Sequence, residues 1–199
     1  MAPPIFLFAH GAGAPSSSAW MKRWALLLGE IGRVDSFDYP YMKHGRKLPD
    51  RHDTLLAAHR EARKKARGRS RRRLILVGKS MGGRIGCHLA LEQPVSALVC
   101  LGYPLVSPGK KRVLRDEVLK QLRTPVLFVQ GTRDRLCPLD LLAKVRRQMS
   151  APNQLHVVDT GDHSLLATKT WLKEHHATQD DVDQETCAAI AAFVENDHG

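Results

Sequence analysis

Residues 74–84, Leu74-Ile75-Leu76-Val77-Gly78-Lys79-Ser80-Met81-Gly82-Gly83-Arg84, constrain the fold more than any other stretch of the chain. A short, wholly apolar run such as Leu74 to Val77 marks a strand buried on both faces, which calls for a parallel sheet covered by helices. The run ends in Gly-x-Ser-x-Gly. A helical pattern follows at once, Ser80 to Glu92, with Ile85, Leu89 and Ala90 toward the sheet. A serine on so sharp a strand-to-helix turn sits in a strained backbone conformation with its hydroxyl exposed above the sheet. Gly78 and Gly82 remove side chains where strand and helix crowd one another, and Gly83 and Gly86 let the helix lie close to the sheet. The helix N-terminus favours negative charge beside the serine. Two other glycine-based readings fail on spacing. A phosphate-binding P-loop ending at Ser80 would need glycine where Arg73 stands, and a dinucleotide fingerprint begun by Gly11 and Gly13 would need glycine where Ser16 stands.

The remaining chain repeats the same alternation of short β-rich runs and longer helical ones. Strands are predicted at Ile5 to Ala9, Gly32 to Phe37, Leu74 to Val77, Ala97 to Leu101, Val126 to Val129 and Leu155 to Val158. Helices are predicted at Ala19 to Glu30, Asp50 to Arg67, Ser80 to Glu92, Leu139 to Met149 and Val182 to Glu195. The expected fold class is therefore α/β: one domain of about six mostly parallel strands flanked by helices, with no stretch left over for a linker.

Composition narrows the class further. With 43% hydrophobic and 26% charged residues the chain is an ordinary globular one, which excludes disorder throughout. The N-terminal apolar run Ile5 to Ala9 is far shorter than the ~20 residues a membrane span needs. It also lacks the charged segment that opens a secretory signal. The expectation is a cytoplasmic protein. The four cysteines, Cys87, Cys100, Cys137 and Cys187, show no metal-like or CxxC spacing and read as free thiols. No residue pattern asks for a metal or a cofactor. Between Arg60 and Arg73 stand nine basic residues and one acid, Glu61, so +8 of the chain's net +11 sits in one short segment. An anionic partner at Arg60–Arg73, such as nucleic acid, an anionic lipid surface or (for a nuclear protein) an import receptor, would find its charge complement there. No aromatic residue interrupts the run to stack on a base.

A serine needs a base, and the base needs an orienting group. Asp134 follows the strand Val126 to Val129, and His163 follows the strand Leu155 to Val158, each in the loop past a strand's carboxyl end. Parallel sheets place their sites at that edge, so Ser80, Asp134 and His163 are predicted to converge. Asp140, Asp159 and Asp162 are the alternative acids. The Met81 N–H at the helix start and the Ala12 N–H in the loop His10-Gly11-Ala12-Gly13 are the expected donors for a developing oxyanion. Tyr39, Tyr41, Tyr103 and Leu105 lie just past strands and are expected to line a substrate pocket. Thiol chemistry through Cys137 is a weaker alternative, because no elbow presents that sulfur.

The chain resembles the α/β-hydrolase superfamily. Within it, it is similar to the small branch that includes testis-expressed protein thirty and the hydrolase-like domain of the third regulatory subunit of the NSL histone acetyltransferase complex. The residues that carry the resemblance are His10 to Pro15, Phe37 to Met42, Gly78 to Arg84, Gly102 to Leu105, Phe128 to Asp134 and Asp162-His163. It implies a minimal hydrolase fold without extra N-terminal strands and without a lid domain. With Ser80, His163 and Asp134 in that fold, the expected activity is that of a serine hydrolase acting on a small-molecule or protein-borne ester, thioester or amide. One member type of that branch is a subunit of a chromatin-modifying assembly. The basic run Arg60 to Arg73 is not part of that resemblance; its charge supports the alternative, a hydrolase-like interaction module that binds a protein or nucleic acid through this segment.

Overall fold

The computed structural model describes residues 2–109 and 111–196. In chain order the elements are β1 (Ile5–Ala9), α1 (Ala19–Gly29), β2 (Arg33–Phe37), α2 (Pro40–Lys43), α3 (His52–Arg67), β3 (Leu74–Lys79) and α4 (Met81–Glu92). Then come β4 (Ala97–Leu101), α5 (Glu117–Gln121), β5 (Val126–Gly131), α6 (Leu139–Arg146), β6 (Asn153–Val158), α7 (Lys169–Glu174) and α8 (Gln179–Glu195). The six strands form one sheet in the order β2-β1-β3-β4-β5-β6, and every neighbouring pair is parallel.

Alternate residues of the central strands feed two separate cores. Leu74, Leu76, Leu98, Cys100 and Phe128 pack on the face covered by α3, α4, α5 and α6. Ile75, Val77, Val99, Leu101 and Val129 pack on the face covered by α1 and α8, around Trp24, Leu28, Ile190 and Phe193. Both faces are buried, which is why the strands are uninterrupted apolar runs. Each such side chain contributes about 1.5–3 kcal/mol by leaving water.

The strand order contains one reversal. From β1 the chain steps outward to β2, then crosses back to β3 on the other side of β1 and continues in that direction. Crevices at the carboxyl ends of strands form at such a reversal. Here they lie between β1, which runs into His10-Gly11, and β3, which runs into Ser80.

Several boundaries depart from the sequence expectation for local reasons. The last helix starts at Gln179 rather than Val182, because Thr178 and Asp181 form a reciprocal capping box. The third helix starts at His52 rather than Asp50, whose carboxylate instead accepts from the Tyr41 N–H at 2.8 Å and pairs with Arg46 at 2.5 Å. Strand β5 runs on to Gly131 because Gln130 and Gly131 pair with Val157 and Val158 of β6. The four cysteines are free and buried. Among the described residues no helix is long and apolar enough to cross a membrane.

Candidate active site

Ser80 is the residue between β3 and α4, and its backbone pays for that position with φ 50° and ψ −112°. This is a region that side chains other than glycine's avoid at a cost of about 1–3 kcal/mol. Two close approaches enforce it. A methyl group on Gly78 would meet Gly83 N at 2.1 Å, and one on Gly82 would meet the Ala9 carbonyl oxygen at 2.5 Å. The helix is thus pressed onto β1 and β3, and the turn between them has no room to relax. The Ser80 N–H donates to the Leu101 carbonyl at 3.0 Å, tying the elbow to β4.

His163 Nε2 lies 2.8 Å from Ser80 Oγ, and His163 Nδ1 lies 2.7 Å from Asp134 Oδ2. The carboxylate side fixes the tautomer: Nδ1–H donates to Asp134, leaving Nε2 to accept from the serine hydroxyl. The structure therefore brings the three residues proposed from sequence into one hydrogen-bonded row, although they are 83 and 29 positions apart along the chain. Asp134 is buried and accepts two further bonds, from Gln130 Nε2 at 2.5 Å and from the Leu136 N–H at 2.8 Å. Gln130 in turn accepts from the Tyr103 N–H at 3.0 Å, so β5 and the loop after β4 both hold the carboxylate in place. The His163 loop is held by Asp162, whose Oδ1 accepts from Ser164 N–H at 2.7 Å and Leu166 N–H at 3.1 Å.

The loop after β1 is organised by a buried histidine. His10 Nε2 accepts from the Tyr39 N–H at 3.1 Å, so in the neutral ring Nδ1 carries the proton and donates to the Gly11 carbonyl at 2.6 Å. Burial keeps the His10 pKa below its ordinary value, with the Gly11 carbonyl and Asp38 opposing. The Tyr41 hydroxyl donates to the Ala12 carbonyl at 2.9 Å. A planar peptide points its N–H opposite its C=O, so holding the Gly11 oxygen turns the Ala12 N–H away from His10. Neither the Ala12 N–H nor the Met81 N–H donates to an acceptor among the described residues. Both residues line the cavity above Ser80.

That cavity has a volume of about 660 Å³, and Ser80 and His163 are in its wall. A larger groove of about 970 Å³ runs along β2 and α3, but it shares no lining residue with the first and none of the hydrogen-bonded row. The expected pocket residues are corrected here: Tyr39, Tyr41, Tyr103 and Leu105 are all 0% exposed, and none lines the cavity. Their side chains turn beneath the loops instead of into the opening. Tyr41 and Tyr103 act as struts through their hydroxyls, Tyr103 onto the Arg115 carbonyl at 3.1 Å, and Tyr39 packs against His59. Cys137 is fully buried and its thiol is pushed up, by burial first and Asp134 second, which removes it as a nucleophile at neutral pH.

Sequence reasoning passed over Lys79, Gln130 and His10. The Lys79 ammonium donates to the His163 carbonyl and stands 5.3 Å from the Trp20 ring centroid. Burial lowers its pKa to about 8, with Asp134 and Asp162 opposing. Gln130 did leave a signal, as a lone amide ending an otherwise apolar strand. A buried amide must be answered, and Asp134 answers it.

The basic segment lies on α3 and the loop before β3. Several of its cations are already engaged: Arg60 with Glu92 at 2.5 Å, Arg63 with the Pro94 carbonyl, Arg67 with the Arg72 carbonyl and Arg73 with the Val194 carbonyl. Lys64, Lys65, Arg69, Arg71 and Arg72 are exposed.

A family model describing an alpha/beta hydrolase domain matches residues 2–195, and the chain belongs to that family. Solved structures share the fold. An alpha-beta serine hydrolase homologue from Coxiella burnetii aligns at TM-score 0.68 and 19% identity, over 80% of this chain and 76% of that one. Est1E from Butyrivibrio proteoclasticus, solved with ferulic acid bound, aligns at TM-score 0.65 and 16% identity, over 93% and 90%. An α/β serine hydrolase without lid from Xanthomonas campestris aligns at TM-score 0.67 and 15% identity, over 92% and 79%.

Proposed function

We propose that this member of the alpha/beta hydrolase domain family is a serine hydrolase that cleaves an ester, thioester or amide, with Ser80 as nucleophile. The observation that carries the reading is the row of 2.8 and 2.7 Å contacts from Ser80 through His163 to buried Asp134, set beside an open cavity. Ser80 Oγ attacks the acyl carbon while His163 Nε2 takes its proton. The Met81 and Ala12 N–H groups receive the negative charge on the former carbonyl oxygen. His163 then returns the proton to the leaving group, and Asp134 holds the imidazolium. Water, activated by the same ring, releases the acyl group and restores the serine. Each oxyanion donor is worth about 2.7–4 kcal/mol of transition-state stabilisation.

The serine hydrolase homologue and the lidless serine hydrolase among the fold neighbours support this reading, as does the resemblance to the small branch of the superfamily noted in the sequence. A second reading rests on the exposed cations Lys64, Lys65, Arg69, Arg71 and Arg72: an anionic partner docks there, whether in the cytoplasm or the nucleus. The two readings separate cleanly. A fluorophosphonate probe labels the wild-type protein, and both labelling and 4-nitrophenyl acetate hydrolysis vanish in Ser80→Ala. Labelling that survives this substitution defeats the assignment of Ser80. Absent hydrolysis together with salt-sensitive binding to nucleic acid favours the second reading.

A further inference from the structure

Two guanidinium groups stand in the wall of the Ser80 cavity with no hydrogen-bond or ion-pair partner among the described residues. Arg84 lies four residues beyond Ser80, so helical spacing puts its side chain one turn along the same face. Its N–H donates to the Ser80 carbonyl at 3.1 Å, which sets that register. Arg84 Nε is buried and has no hydrogen-bond partner. Arg115 enters from the segment after β4, where its backbone is fixed on both sides. Its N–H donates to the Leu105 carbonyl at 2.8 Å and its carbonyl accepts from the Tyr103 hydroxyl at 3.1 Å. Neither guanidinium forms an ion pair or a hydrogen bond with any described residue.

The two arginines also act on each other. Burial pushes the Arg115 guanidinium below its ordinary range, and the charge of Arg84 pushes the same way. The cavity's carboxylate, Asp50, is already taken up by Arg46 and the Tyr41 N–H. Lys79 adds a third cation to the lining, and His52, also in the wall, has a buried Nδ1 with no hydrogen-bond partner among the described residues. Holding like charges together in a partly desolvated wall is unfavourable unless an anion joins them. The wall also carries an apolar portion, with Trp20, Met21, Leu55 and Leu136.

We infer that the substrate of Ser80 carries an anionic oxygen group, a carboxylate or a phosphate, seated between Arg84 and Arg115, with an apolar portion against Trp20 and Leu136. The inference deepens the hydrolase reading and rests on it for the word substrate; the anion site itself does not. Guanidinium forks suit both oxyanions through paired N–H···O bonds.

Calorimetric titration of the native protein with benzoate, phenyl phosphate and neutral benzamide tests the site without requiring turnover. At least one anion binds, benzamide binds about tenfold or more weakly, and Arg115→Gln and Arg84→Gln each reduce anion affinity about tenfold. Which anion binds tells carboxylate from phosphate. Hydrolysis supplies the second arm. The ratio of kcat/KM for 4-nitrophenyl hydrogen glutarate over 4-nitrophenyl pentanoate is about tenfold or more in the wild type and falls toward one in the variants. Should Arg84→Gln fail to fold, Arg115→Gln, at a partly exposed side chain, carries the comparison alone. Wild-type protein that binds neither anion, or a ratio of one that the substitutions leave unmoved, overturns the anion site. If the anions bind but no ester is cleaved, the hydrolase reading fails and the site stands.

Discussion

The contact between β3 and α4 makes Gly78→Ala the sharpest test of how the elbow is held. The added methyl would lie 2.1 Å from Gly83 N, 2.3 Å from Gly82 C and 2.5 Å from Gly83 Cα. All three are backbone atoms, so no rotamer change relieves the clash. Ordinary non-bonded contact begins near about 3.5 Å, so strand and helix must part by about 1.4 Å. Overpacking of a rigid interior costs about 1–3 kcal/mol, and a clash with backbone on both sides belongs at the upper end. With a urea m-value of about 2–3 kcal/mol/M, the unfolding midpoint falls by roughly 1 M. The same displacement carries Ser80 away from His163, and a misplacement of about 1 Å lowers turnover about 10²-fold. Urea unfolding and fluorophosphonate labelling rate, measured on one preparation, read the two effects. Gly29→Ala in α1 is the control: its methyl meets nothing within 4 Å, so it changes stability by less than about 1 kcal/mol. Gly78→Ala with a wild-type midpoint and a wild-type labelling rate would refute the idea that close backbone approach shapes the turn.

Three further outcomes follow from the same geometry. Ser80→Gly unfolds at higher urea than Ser80→Ala, by about 1 kcal/mol, because glycine accepts φ 50° without strain; equal midpoints would remove strain from the account. Tyr41→Phe deletes only the hydroxyl that holds the Ala12 carbonyl, so kcat for an arylester drops about tenfold while stability falls by about 1 kcal/mol; an unchanged kcat would detach that strut from oxyanion positioning. Stability decreases on acidification below about pH 6.5, because burial lowers the pKa of His59 to about 3 and depresses that of His10 as well. The unfolded chain takes up those protons first, so the stabilisation present above the unfolded pKa is lost as pH falls toward the folded one. The slope from His59 is at most about 1.4 kcal/mol per pH unit, and His59→Phe reduces the total without abolishing it, because burial also depresses His10 and lowers His88 to about 4; a wild-type stability flat between pH 6.5 and 4 contradicts the assignment.

Much of the architecture was readable from residue order because its causes are local. Runs such as Ile5–Ala9 and Val126–Val129 are continuous and apolar only because both sheet faces are covered, and the turn at Gly78–Gly82 carries its glycines where backbones touch. Ser80, Asp134 and His163 could be nominated because each directly follows a strand, and parallel strands share one carboxyl edge. Side-chain direction was not readable. Tyr39, Tyr41 and Tyr103 follow strands as well, yet they turn inward and carry loops, because their hydroxyls find His59, the Ala12 carbonyl and the Arg115 carbonyl across distances of 20, 29 and 12 residues. The start of α8 was misplaced although Thr178 and Asp181 stand at capping-box spacing, since only their mutual hydrogen bonds select that box over a later start. The amide of Gln130 against Asp134, the Lys79 ammonium on the His163 loop and the unanswered pair Arg84 and Arg115 belong wholly to the folded molecule. Local propensity and hydrophobic period act over a few residues, whereas these contacts depend on which strands lie side by side, and on which charges burial has left without a partner.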